Sequence, residues 1–155
     1  VEKEPLGTGG AIKAAAAGID ETFLVINGDN LADFNWTTAL DLHKKSQAEV
    51  TLSLFPVEDV TQYGIARLKD GRVLEFVEKP TVEQAPSNLN NAGGYVMEPT
   101  ALSILPDGMC SIERDCFEKI APLGKVFAHL HSGQWYPTDT IQKYNHADKN
   151  FEPNN

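Results

Sequence analysis

One stretch restricts the fold of this chain more than any other: Phe23-Leu24-Val25-Ile26-Asn27-Gly28-Asp29-Asn30. Its first residues are large, apolar and β-favouring, and the run stops abruptly at Gly28-Asp29. A short apolar run ended by Gly-Asp reads as a strand buried on both faces, as in parallel sheets. Open α/β sheets bind ligands at the carboxyl ends of their strands, so Asp29 stands where a carboxylate can hold a divalent cation over phosphates. A plainer reading has Asp29 capping a turn, with Gly28 supplying an unusual backbone angle.

Taken in order, the chain alternates helical and strand signals in the α/β manner. Glu4 to Gly10 is a glycine-rich loop, and the alanine-rich run from Ala11 to Gly18 predicts a helix after it. Such a loop offers close backbone approach and free N–H groups to an anion or a base edge. Asn35 caps a second expected helix through Lys45, and Val50 to Phe55 is a strand stopped by Pro56. Tyr63 to Leu68 and Arg72 to Val77 flank Lys69-Asp70-Gly71, a β-hairpin with an Asp-Gly turn. The second arm runs into Glu78-Lys79-Pro80. Thr81 to Asn90 reads as a loop, and Asn91 to Met97 as a strand whose small residues permit a close approach. Ser111 caps a helix with acids in its first turn, Lys125 to Leu130 is a further strand, and Trp135 to Thr140 reads as a turn before a last helix, Ile141 to Asn150. Trp36, Met97 and Phe117 are expected in the core.

At 155 residues the chain is sized for one domain, and a net charge of -9 argues against nucleic acid or an anionic membrane as partner. Cys110 and Cys116 are too few and too close for a disulfide framework, which points to a reducing cytoplasm. No apolar run approaches membrane-spanning length.

The motifs Pro5-Leu6-Gly7-Thr8-Gly9-Gly10, Asn27-Gly28-Asp29-Asn30, Tyr63-Gly64-Ile65, Phe76-Val77-Glu78-Lys79-Pro80, Asn91-Ala92-Gly93-Gly94-Tyr95 and Ser111-Ile112-Glu113-Arg114-Asp115 occur in a telling order. In that order the chain resembles the sugar-1-phosphate nucleotidyltransferases, from Glu4 to about Ala147. The resemblance implies a Rossmann-like α/β fold, a mixed and mostly parallel sheet between helices. It implies a magnesium-dependent enzyme joining a nucleoside triphosphate to a sugar 1-phosphate with release of pyrophosphate. It further implies that Leu6, Gly7, Thr8, Gly9 and Gly28 approach the nucleotide and that Asp29 binds magnesium. Tyr63, Gly64, Glu78, Asn91 and Ala92 contact the sugar, and Lys79 holds its phosphate. Asp29 and Lys79 are thus the catalytic pair, neutralising and positioning phosphates without a covalent intermediate. The glycine motif looks most like the branch that transfers guanylyl groups to mannose or heptose 1-phosphate.

Two departures accompany the resemblance. Pro137 stands where the family carries a second magnesium-binding Asp; Asp139, two residues on, is a candidate substitute, and the reading preferred to it has Thr138 or Asp139 simply capping the final helix. The family's first strand and cationic phosphate loop belong before Glu4. Residues 1–155 are therefore expected to be a nucleotidyltransferase domain lacking its first strands, inactive in transfer by itself, with Phe23 to Asn27 as an open edge that drives homo-oligomerisation. The rival reading is a non-catalytic, truncated or regulatory module that binds nucleotide or sugar phosphate. A dehydrogenase is remote, because Gly7-Thr8-Gly9-Gly10 lacks the Gly-x-Gly-x-x-Gly spacing.

Overall fold

Turn chemistry and capping side chains account for several of the elements in the computed structural model, which describes residues 4–153. In chain order they are α1 (Gly7–Ala15), β1 (Phe23–Ile26), β2 (Asn30–Ala32), α2 (Trp36–Ser46), β3 (Val50–Pro56), β4 (Gly64–Lys69), β5 (Arg72–Glu78), β6 (Leu89–Met97), α3 (Glu118–Ile120), β7 (Val126–Leu130), β8 (Trp135–Pro137) and α4 (Ile141–Asn150). Asn35 caps α2 by accepting from the Thr38 amide at 3.1 Å. Asp70 and Gly71 adopt φ of 52° and 77°, the paired left-handed angles of a type I′ turn, and join β4 to β5.

Six strands form one mixed sheet in the order β1-β6-β3-β7-β5-β4, flanked by helices, while β2 and β8 make a separate two-stranded ribbon. β1, β3, β4 and β7 run one way and β5 and β6 the other, yet only β3 and β7 are parallel neighbours. β6 organises the site. One side of it pairs with β3, and the other is shared: Gly94 to Met97 borders β1, while Leu89 and Asn90 border β4. β1 and β4 therefore meet end to end beside Asn91 to Gly93, and the gap between them opens above these residues. Beneath it, Leu52, Leu54, Tyr95, Met97 and Phe117 are fully buried.

Five expectations need correction. The sheet is mixed but not mostly parallel, because β5 and β6 run against every strand they border and β3–β7 is the one parallel pairing among the described residues. β1 is not buried on both faces but alternates between half-buried and exposed, because it ends the strand order and pairs antiparallel with β6 alone among the described residues. Its Phe23 and Val25 pack on the core, whereas Leu24 and Ile26 are 40% and 56% exposed. α1 begins at Gly7 rather than after the glycines, since the Gly9 amide donates to the Cys110 carbonyl and docks the segment on residues 108–112. Trp135 to Pro137 is a strand, not a turn, paired with Asn30 to Ala32. The cap of α4 is Thr140, which accepts from the Lys143 amide; the Thr138 amide and hydroxyl instead both donate to the Asp29 carbonyl, at 2.7 and 2.9 Å.

The small residues of β6 act as expected. Gly93, at φ 78°, lets Asn27 and Asn30 lie against the strand, and a Cβ at Gly94 would sit 2.8 to 3.0 Å from the Phe34 and Trp36 rings. Among the described residues no helix is long and apolar enough to cross a membrane.

Candidate active site

The gap between β1 and β4 is a cavity of about 290 Å³. It gathers Asp29, Tyr63, Gly64, Glu78, Lys79, Asn91 and Asp139, from five separate segments of the sequence. Asp29 follows the carboxyl end of β1, fixed through its carbonyl to Thr138, and its exposed carboxylate makes no hydrogen bond or ion pair among the described residues. Gly28 has no positive φ, so the unusual angle of the plainer turn reading is absent.

Lys79 follows β5 at φ 50°, a left-handed angle that a lysine rarely adopts and that the following Pro80 further restricts. Its amide donates to the Tyr63 carbonyl at 3.0 Å, which ties the strained residue to the start of β4. Backbone strain of this kind persists only where the surrounding structure over-determines it, and such residues cluster at binding and active sites. Among the described residues the Lys79 ammonium has no hydrogen-bond or ion-pair partner.

Glu78 is half-buried, and its carboxyl is held above the ordinary range, first by burial and then by the Glu113 carboxylate. Gly64 faces it across the hairpin; a Cβ there would lie 2.7 Å from Glu78 Oε2. Asn91 donates from Nδ2 to the Tyr95 hydroxyl at 3.0 Å, which leaves its carbonyl oxygen to cap the Gly93 amide. Burial pushes the Tyr95 hydroxyl well above its ordinary pKa, so it stays protonated. Ala92 is fully buried behind the wall, where its carbonyl accepts from Trp135 Nε1 at 2.8 Å.

The glycine segment lies apart. Gly7 and Thr8 line a second cavity of about 420 Å³ with Cys110, Ser111 and Arg114. Gly9 is buried with its amide spent on Cys110, and Leu6 faces a third cavity beside Lys13 and Asp107. Glu113 joins the first two cavities: it lines both, and Oε2 accepts from Thr8 Oγ1 at 2.9 Å and Ser111 Oγ at 2.7 Å. A larger groove of about 580 Å³ beside the β4–β5 turn, lined by Lys45, Lys69 and Arg72, contains none of the residues singled out from the sequence.

Residues 1–152 match the family model described as "Nucleotidyl transferase". The chain belongs to this family. Over 140 residues it is 33% identical to a mannose-1-phosphate guanyltransferase of Yarrowia lipolytica, covering 87% of this chain and 38% of that protein. It is 33% identical over 148 residues to a mannose-1-phosphate guanylyltransferase of Mycobacterium tuberculosis, covering 92% and 41%. Among solved structures, HddC from Yersinia pseudotuberculosis complexed with GMP-PN superposes with a TM-score of 0.76 at 29% identity, over 97% of this chain and 65% of that one. The chain thus spans about two-fifths of the length of the curated relatives it matches.

Within this nucleotidyl transferase domain the sequence did not single out Gln62, Glu113, Trp135 or Lys143 as site residues, though all line the cavity. Glu113 sits in a quoted motif and carried a signal, and Gln62 adjoins Tyr63; Trp135 and Lys143 arrive through long-range packing.

Proposed function

We propose that the chain carries the sugar-phosphate side of a guanylyl transfer from GTP to mannose 1-phosphate. The observation that carries this reading is the pairing of an unengaged carboxylate, Asp29, with an unengaged, strained lysine, Lys79, over one cavity floored by Asn91 and Tyr63. The names of the relatives support guanosine and mannose as the specificity. In this reaction an oxygen of the sugar phosphate forms a bond to the α-phosphorus of GTP. The α–β bridging bond breaks in line, and pyrophosphate leaves with the electron pair. Lys79 holds the incoming phosphate, Glu78 and Asn91 orient the sugar, and Gly64 leaves room for the Phe76 ring and the Glu78 carboxylate beside it. Gly7, Thr8 and Glu113 face the nucleotide.

Magnesium fits the donors present. Among the described residues no three His, Cys, Asp or Glu side chains converge into a cage, but magnesium is ordinarily held by one or two carboxylates plus substrate phosphates. Asp29 is the ligand we assign, because the Asp139 carboxylate is engaged by Lys143 at 2.9 and 3.2 Å. When bound, the metal supplies charge neutralisation at the phosphates.

The test is titration of the chain, with magnesium present, by nucleotides and sugar phosphates. GTP and mannose 1-phosphate should bind more tightly than UTP and glucose 1-phosphate; equal affinities overturn the specificity. Pro137, which offers no donor beside Asp29, favours a second reading, a binding module without turnover. Binding of mannose 1-phosphate with no pyrophosphate release under any nucleotide selects that one. Two buried, unbridged cysteines support a cytoplasmic setting. The outer edge of β1, with Leu24 and Ile26 exposed, supports self-association, which light scattering at micromolar concentration tests; a clean monomer rejects it.

A further inference from the structure

Six charged side chains line the cavity: the carboxylates of Asp29, Glu78, Glu113 and Asp139 and the ammoniums of Lys79 and Lys143. Five belong to the motifs and positions already discussed. Lys143 does not. It sits in the first turn of α4, and the positive end of the helix dipole disfavours a cation there. A lysine placed for helix stability belongs in the last turn. The ammonium is instead turned toward the cavity: Nζ lies 5.7 Å from the centre of the Tyr63 ring and bonds both carboxylate oxygens of Asp139. Tyr63 in turn packs edge-on against Trp135 at 5.5 Å. The segment is anchored to the metal side of the cavity by the two Thr138 bonds to the Asp29 carbonyl, so Lys143 holds a fixed place relative to Asp29.

As an i,i+4 ion pair, Asp139–Lys143 is weak. Its partners are 46% and 35% exposed, and such pairs contribute about 0.2–1 kcal/mol. A phosphomonoester carries close to two negative charges at neutral pH and three acceptor oxygens, against one charge on Asp139. It therefore competes for the ammonium on favourable terms.

We propose that Lys143 is a second phosphate-binding cation of this cavity. Resting on Asp139, it exchanges that carboxylate for the phosphate of the sugar 1-phosphate and clamps it together with Lys79. The inference rests on the sugar-phosphate reading above and adds to it a residue, a resting partner and an exchange.

Titration of the chain with mannose 1-phosphate and with free mannose separates the possibilities, in the parent, Lys143→Met, Lys143→Arg, Asp139→Asn and Lys79→Met. The proposal expects Lys143→Met to weaken the phosphorylated sugar by about three- to tenfold, the scale of one charged hydrogen bond in a partly exposed site, and to leave free mannose unchanged. The salt dependence of mannose 1-phosphate binding falls in the same variant, and Lys143→Arg restores both. Asp139→Asn, which releases the ammonium, binds the phosphorylated sugar at least as tightly as the parent. A purely helical role for the pair predicts the opposite: Lys143→Met and Asp139→Asn lower the melting temperature alike, and neither changes the ratio of the two affinities. That result overturns the proposal, as does loss of affinity in Lys79→Met alone, which leaves the sugar-phosphate reading standing. If the parent binds neither ligand, both readings fall.

Discussion

Gly64→Ala is the perturbation whose consequence can be worked most directly from the geometry. Gly64 is buried at the start of β4, directly across the hairpin from Glu78. The added methyl would overlap the Phe76 ring and stand 2.7 Å from Glu78 Oε2. Phe76 cannot withdraw cheaply: it is 4% exposed and meets the fully buried Phe117 edge-on at 5.7 Å. The Glu78 carboxylate, at the far end of a half-buried side chain, is the group that swings aside. Overpacking of this kind costs about 1–3 kcal/mol. Removing glycine's freedom in the unfolded chain returns about 0.4–1 kcal/mol. The net expectation is a loss of roughly 1–2 kcal/mol, and at this chain length each kcal/mol lowers the melting temperature by about 2–4 °C. Thermal melts followed by circular dichroism should therefore show a fall of about 2–8 °C. Titration with free mannose should show weakened binding, because the displaced carboxylate belongs to the sugar contact. An alanine variant with the parent's melting temperature and the parent's sugar affinity refutes the reasoning.

Other consequences are simpler. Burial and Glu113 hold the Glu78 carboxyl above its ordinary 4.5, so its stabilising contribution is complete below that pH and is lost as pH rises through the raised value. Glu78→Gln should then be more stable than the parent at neutral pH and converge with it in acid; a difference that ignores pH contradicts this. Lys79→Gly relieves a left-handed angle, which offsets the entropy glycine adds, so denaturant melts should show stability unchanged or raised by up to about 1 kcal/mol. The same variant should lose affinity for the sugar 1-phosphate but not for the free sugar, and equal weakening of both ligands rejects the phosphate role. Thr140→Ala removes the α4 cap and should cost about 1 kcal/mol in the same melts, whereas Thr138→Ala should loosen Asp29 without the loss of a helix cap.

How much of this was legible in the sequence follows the range of the interactions. The β4–β5 hairpin is written in Asp70-Gly71 and α2 in Asn35, because turn angles and caps are settled within four residues. The cavity itself could be named in advance for Asp29, Glu78, Lys79 and Asn91 through the motif order, and the fold brings those residues together. What escaped is what distant contacts decide. β2 and β8 are three residues each, too short for any periodicity, and exist because Asn30 to Ala32 meets Trp135 to Pro137. Thr138, Asp139 and Thr140 are all plausible caps as residues; the Asp29 carbonyl claims the first, Lys143 the second, and the helix receives the third. The glycines of α1 looked like an open anion loop, but the Cys110 carbonyl had already taken the Gly9 amide.

We propose that Asp29 faces the phosphates of a nucleotide through magnesium. Titration calorimetry of magnesium into the parent and into Asp29→Asn, each with and without GTP, tests it most directly. The account predicts that GTP strengthens magnesium binding in the parent and that this enhancement disappears in Asp29→Asn. An enhancement of the same size in both proteins contradicts it.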